Sequence, residues 1–226
     1  MAARVLPDGT EGRAEAVRVL AAGGLVAFPT DTVYGIAVSS RTPGGLERLF
    51  VAKQRSPERA IVLLLADAAQ ASELGILGPA GEALAEAFWP GGLTLIVRQR
   101  GDTVPSLSLA TGDDHEAGLT VGLRVPDHST PRALAAAVGP LPTTSANRSG
   151  DPEARDAQDV FDQLGAALDL ILDGGPARGP RPSTVVDVSG ETPRILRDGT
   201  VSADAIAATL RAAGIDAAGL RDPVGR

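Results

Sequence analysis

The chain has 226 residues, a formal net charge of −7, 43 % apolar and 3 % aromatic residues, two histidines and no cysteine. That length supports one sizeable core, while the composition excludes disulfides and thiol chemistry, a broadly basic nucleic-acid surface and an aromatic platform for stacked bases. No apolar run approaches the ~20 residues that span a bilayer, and Arg4, Asp8, Glu11, Arg13 and Glu15 interrupt the region where a signal peptide would be apolar, so a soluble, cytoplasmic protein without a membrane partner is expected.

Thr10 is placed to cap a helix over 11–22, with Ala14, Val17, Leu20 and Ala21 on one face and Gly23-Gly24 as the stop. Leu25 to Phe28 reads as a short buried strand halted by Pro29. The polar run Thr30-Asp31-Thr32-Val33-Tyr34-Gly35, which holds the only tyrosine, then lies where a strand opens into a loop. In α/β sheets ligands commonly bind there.

Thr42-Pro43 begins a helix over about 43–53, with Leu46, Leu49 and Phe50 as its apolar stripe. Lys53 follows Phe50 by three positions and Leu49 by four, so it falls on the inward side of the last turn. It is the sole lysine of the chain; the other twenty basic residues are arginines. The two differ chemically, one a mobile point charge and the other a planar fork.

Ile61 to Leu65 reads as a buried strand, 67–74 and 79–88 as helices, and Leu93 to Val97 as a strand. The Gly- and acid-rich stretch 101–118 reads as a flexible loop. Thr120 to Val125 alternates strictly, which puts Thr120, Gly122 and Arg124 on one face. An inward arginine on a central strand needs an anionic partner, either a structural carboxylate or a carboxylate or phosphate of a ligand.

A helix over about 130–138 leads to a short strand and the turn-like Thr143-Thr144-Ser145-Ala146-Asn147. A helix near 156–165 and a strand near 168–172 precede the Gly/Pro-rich segment 173–182. Strands at 183–188 and 193–197 and a helix from cap Ser202 to about Ala213 follow, with a frayed tail over 214–226. No repeat or linker divides the chain. The pattern is one α/β domain over 1–226, built on a twisted mixed sheet flanked by helices.

Lys53, Arg55 and Arg59 set three cations within seven residues at a helix-to-strand junction, with Glu58 a partial offset. Such a corner suits a triphosphate, because nucleotidyl transfer depends mostly on positioning and charge stabilisation; an exposed charged turn has the same pattern. Ser145-Ala146-Asn147 offers a hydroxyl and a carboxamide, or an ordinary turn. His115 and His128 lack ligand spacing. Gly174 and Gly179 have G-x4-G spacing, but Pro180-Arg181 follows, so this is no P-loop. Any ATP is therefore held outside the familiar nucleotide folds.

Taken in order, Phe28 to Gly35, Lys53-Gln54-Arg55, Phe88-Trp89-Pro90-Gly91-Gly92-Leu93-Thr94, Val121 to Pro126, Ser145-Ala146-Asn147 and Ser183-Thr184-Val185-Val186-Asp187 resemble the YrdC-like domain family of threonylcarbamoyl-AMP synthases. The resemblance covers about residues 10–200. It implies a large concave cavity and the condensation of L-threonine, bicarbonate and ATP, with Mg²⁺, to threonylcarbamoyl-AMP and pyrophosphate. The product would pass to a separate transferase complex that makes threonylcarbamoyladenosine in tRNA. Carried over by position, Thr32, Arg124, Thr143 and Ser183 would contact threonine; Arg55, Arg59, Thr120, Ser145 and Arg197 would contact ATP. Lys53, Arg55, Tyr34 and Asn147 would complete the reacting pocket, and no residue is assigned to the metal. Leu64 stands where many members have histidine, and Glu153 where serine is common. The rival reading is an RNA- or tRNA-binding translation or ribosome-maturation protein of the same fold without synthase activity; weak tRNA binding is compatible with either.

Overall fold

In the computed structural model the description covers residues 2–53, 61–101, 119–179 and 181–220. The order of elements is β1 (Arg4–Pro7), α1 (Thr10–Ala21), β2 (Val26–Phe28), β3 (Gly35–Ala37), α2 (Gly45–Lys53), β4 (Val62–Leu64), α3 (Ala68–Leu74), β5 (Gly75–Ile76) and α4 (Gly78–Phe88). It continues with β6 (Leu93–Gln99), β7 (Thr120–Arg124), α5 (Ser129–Val138), β8 (Leu141–Ser145), α6 (Ala157–Leu164), β9 (Leu170–Asp173), β10 (Thr184–Asp187), β11 (Arg194–Arg197) and α7 (Ala203–Ala212).

All these strands join one mixed sheet in the order β1-β9-β2-β3-β8-β4-β7-β6-β10-β11, with β5 pairing the far end of β6. The middle strands β2, β7 and β8 are buried almost throughout, because helices cover both faces of the sheet. On one face α1 and α5 pack Ala16, Leu20, Leu134 and Val138 against Val26, Phe28, Leu141 and Leu170. On the other, α2, α3, α4, α6 and α7 bring Leu49, Leu74, Leu84, Val160 and Ile206 onto Ile36, Leu63, Leu95, Leu123 and Ile171. A doubly covered strand can read as a continuous apolar run, as β2 does; β7 keeps its alternation although it is buried throughout, with Thr120 and Arg124 on one face.

The sequence expectations hold for the α/β class and for most elements, with instructive differences. Helix α1 starts one residue early, at Thr10, and its cap is Gly9 without a side-chain bond. Strands β1, β3 and β5 are unforeseen: they have four, three and two residues, too few to establish a period. Thr143 and Thr144 are strand residues of β8, not turn residues, in keeping with the β preference of branched side chains. The tail expected to fray from 214 packs as far as Leu220, which is 4 % exposed and accepts a bond from the Ile195 amide through its carbonyl. The loop expected over 101–118 lies, from 102 onward, outside the described residues.

Candidate active site

The polar run after β2 folds back on itself. The Thr30 hydroxyl donates to the Val33 carbonyl (2.6 Å) and accepts from the Thr32 amide (3.1 Å), which turns the chain sharply into β3. Tyr34 is fully buried at the start of that return. Its hydroxyl donates to the Gly175 carbonyl (2.7 Å) and accepts from the Gly174 amide (3.1 Å). Burial pushes the phenol up to about 12, so it keeps its proton at neutral pH. Tyr34 thus presents a ring to the site while its oxygen ties down the Gly/Pro-rich segment. That segment is held again where the Gly179 amide donates to the Thr32 carbonyl (3.0 Å). A Cβ on Gly179 would lie 2.8 Å from Thr32 Cα and from its carbonyl oxygen, so only glycine allows this approach.

Arg124 ends β7 beneath the same turn and is 5 % exposed. Its Nη2 pairs with Asp31 Oδ1 (2.7 Å), Nη1 donates to Thr32 Oγ1 (3.0 Å) and Nε donates to the Gly91 carbonyl (3.0 Å). Burial lowers its pKa, and Asp31 opposes that shift. Three of the five guanidinium N–H groups are therefore engaged by described residues. The protein's own carboxylate meets the demand for an anionic partner and leaves the rest of the fork toward the cavity.

Across the sheet, Lys53 at the end of α2 is 3 % exposed. Its Nζ donates to the Ser145 carbonyl (2.6 Å) and to Asn147 Oδ1 (3.0 Å). The Ser145 hydroxyl donates to the same Asn147 oxygen (2.6 Å), and Asn147 Nδ2 donates to the Asp151 carbonyl (2.7 Å). The Ala146 amide donates to the Tyr34 carbonyl (2.8 Å), which locks this bend to the Thr30–Tyr34 turn. The ammonium is thus held by one backbone carbonyl and by the Asn147 carboxamide oxygen, which also takes the Ser145 hydroxyl proton.

The third wall comes from β10, β11 and β6. Arg197 donates to the Ser183 carbonyl through Nε (3.1 Å) and Nη2 (2.9 Å), and to Ser183 Oγ through Nη2 (3.1 Å). Ser183 Oγ also meets Thr94 Oγ1 at 2.8 Å. These walls enclose a cavity of about 150 Å³ whose lining includes Thr32, Arg124, Thr143, Ser145, Ser183 and Arg197. Tyr34, Leu64 and Glu153 line it too. Burial holds the Glu153 carboxyl above its ordinary range, opposed by the nearby Arg197 and Lys53.

Of the residues singled out from the sequence, Thr32, Tyr34, Arg124, Thr143, Ser145, Ser183 and Arg197 share this one cavity, and Lys53 and Asn147 bond directly to its wall. The Thr143 hydroxyl proton goes to the Leu141 carbonyl (2.8 Å), so its oxygen can only accept from a ligand. Thr120 shares a face with Arg124 but lies four residues along β7, roughly 13 Å at the rise of a strand, and is not part of the lining. Sharing a face does not mean sharing a place. Arg55, Arg59 and His115 lie outside the described residues. His128 is a structural cap of α5: its Nδ1 accepts from the Thr130 amide (3.2 Å). Asp31 and Thr94 were not foreseen as site residues. Thr94 had a legible signal, since it lies opposite in parity to Leu93 and Leu95; Asp31 had none beyond its neighbours, because its partner is 93 residues away.

Fold and site define an α/β protein with a polar, arginine-flanked cavity built from segments far apart in sequence. The family model Sua5-YciO-YrdC, described as telomere recombination, matches residues 18–199, and the chain belongs to that family. A Mycobacterium tuberculosis protein carrying the provisional name threonylcarbamoyl-AMP synthase is 40 % identical over 212 residues, 93 % of each chain. The threonylcarbamoyl-AMP synthase of Chromohalobacter salexigens is 38 % identical over 184 residues, 80 % of this chain and 95 % of that one. Among solved structures, P. abyssi Sua5 complexed with L-threonine superposes with a TM-score of 0.84 at 27 % identity, covering 98 % of this chain but only 62 % of that one. E. coli YciO superposes with a TM-score of 0.79 at 25 % identity, covering 90 % and 99 %.

Proposed function

We propose that the protein is a threonylcarbamoyl-AMP synthase, a nucleotidyltransferase that condenses L-threonine, bicarbonate and ATP and releases pyrophosphate. The observation that carries this reading is the direct bonding of Lys53 to Ser145 and Asn147 on the wall of a cavity that also holds Thr32, Arg124 and Ser183. The names of the curated relatives and the threonine in the Sua5 complex support the same choice of substrates.

In this reading the threonine carboxylate docks on the outward part of the Arg124 fork, which Asp31, Thr32 and Gly91 hold in place. Ser183 and Thr143 contact the rest of the amino acid. The cavity of about 150 Å³ is smaller than the ~300–1,000 Å³ usual for a drug-sized ligand, so it suits threonine, and ATP lies at its mouth. Ser145 and Arg197, with Arg55 and Arg59, then meet the phosphates. Thr120 can reach only the far end of an extended nucleotide.

Threonine's nitrogen, freed of one proton, bonds to the bicarbonate carbon, and that carbon's hydroxyl leaves with a second nitrogen proton as water, giving a carbamate. A carbamate oxygen attacks the α-phosphorus, and the bond from that phosphorus to the pyrophosphate oxygen breaks. Lys53 stabilises the charge that gathers between them; one such preorganised donor is worth roughly 100- to 1,000-fold in rate. Magnesium would enter as part of the magnesium–ATP substrate, an ion commonly held largely by the phosphates and water. The product would serve a separate transferase acting on tRNA.

The test is pyrophosphate release with threonine, bicarbonate and ATP each omitted in turn. All three should be required. Release that continues without threonine would instead indicate a simple ATP hydrolase.

A further inference from the structure

Glu153 is the only carboxylate among the described residues that line the cavity. It sits six positions beyond Asn147, half-buried beside Ala154, which is 1 % exposed. Among the described residues no ion pair takes up its side chain, although Arg197 and Lys53 stand close enough to act on it. A negative wall is a poor neighbour for ATP and bicarbonate, both anions. Of the charged groups on the three substrates, only the α-ammonium of threonine is a cation. Arg124, on the same cavity, suits the opposite end of that zwitterion.

We propose that Glu153 receives the threonine α-ammonium and accepts the proton that must leave before the nitrogen can attack. This rests on the synthase reading above. The ammonium gives one proton to the Glu153 carboxylate, and the freed lone pair forms a bond to the bicarbonate carbon. The bond from that carbon to its hydroxyl oxygen breaks; the hydroxide leaves with a second proton from nitrogen, as water. The sum is carboxylate, ammonium and bicarbonate going to carboxylic acid, carbamate and water, balanced in atoms and charge. The partial desolvation that makes this carboxylate more basic than usual suits it to the transfer.

The experiment is calorimetric titration of threonine into wild type and Glu153→Gln without nucleotide or metal, beside 2,3-dihydroxybutanoate, which carries a hydroxyl in place of the amine. Losing a charge-assisted contact should weaken threonine roughly ten- to hundredfold and leave the deaminated analogue unchanged. In turnover, Glu153→Gln should lose about 100- to 10,000-fold together with the acid limb of the kcat/KM profile. Equal weakening of both ligands, or a defect confined to magnesium–ATP, overturns the proposal. A wild type that binds threonine and releases pyrophosphate while Glu153→Gln does the same overturns the Glu153 role alone. A wild type that does neither overturns the synthase reading and this role with it.

Discussion

Lys53 concentrates the chemistry of the site in one side chain. Its ammonium reaches a backbone carbonyl and a carboxamide oxygen at 2.6 and 3.0 Å, both in the bend at the end of β8 and 92 and 94 residues away in sequence. An arginine fork is wider and planar, and cannot make these converging contacts from the same stem. Lys53→Arg should therefore cut pyrophosphate release about 100- to 1,000-fold, while circular dichroism melting still shows a cooperative fold. Near-normal turnover in this variant would refute the point-charge role. The inward direction of Lys53 was legible from its spacing to Leu49 and Phe50; its partners were not, because helical spacing reports which face a residue takes and nothing about what lies opposite. Arg124 taught the same lesson. Its need for an anion followed from strand parity, but whether protein or ligand supplied it was open until Asp31 was found 2.7 Å away.

Among the elements, α5 shows how a cap links stability to pH. His128 offers Nδ1 to the Thr130 amide, which requires the neutral imidazole. Burial, aided by Arg178 and Arg13 and opposed by Asp8 and Asp31, lowers its pKa. A base that titrates lower in the folded state than in the unfolded one contributes stability that is full above the unfolded value, near 6.5, and is lost as pH falls through the folded value. Urea unfolding should thus show a decline below about pH 6.5. Asparagine caps equally well without titrating, so His128→Asn should remove this part of the slope and keep the ~1 kcal/mol of the cap. An unchanged slope in the variant would show that other groups cause the decline. The cap itself was missed because histidine is not among the favoured N-cap residues; Ser202, which is, was read correctly and accepts from the Ala205 amide (3.2 Å).

Over the whole molecule, a net charge of −7 surrounds a site flanked by Lys53, Arg124 and Arg197. The basic potential is local, so contact with tRNA can use only a few phosphates. Gel shifts with tRNA should accordingly be weak at low salt and vanish near 0.15 M, since log affinity falls with log salt in proportion to the phosphates neutralised. A shift that survived physiological salt would favour the RNA-binding reading. None of the described helices is long and apolar enough to cross a membrane.

The sequence by itself determined the α/β class, the positions of the longer helices and buried strands, and the polar interruptions that became the site walls. Those properties come from side-chain periodicity and turn chemistry, which act over a few residues. Only the tertiary structure decided the strand order, the short strand β3 that returns Tyr34 beside the Ser145 bend, and the Asp31–Arg124 pair. Each of these depends on pairing and packing between segments tens to more than a hundred residues apart. Local periodicity carries no record of such meetings, because their free energy exists only once the sheet has assembled.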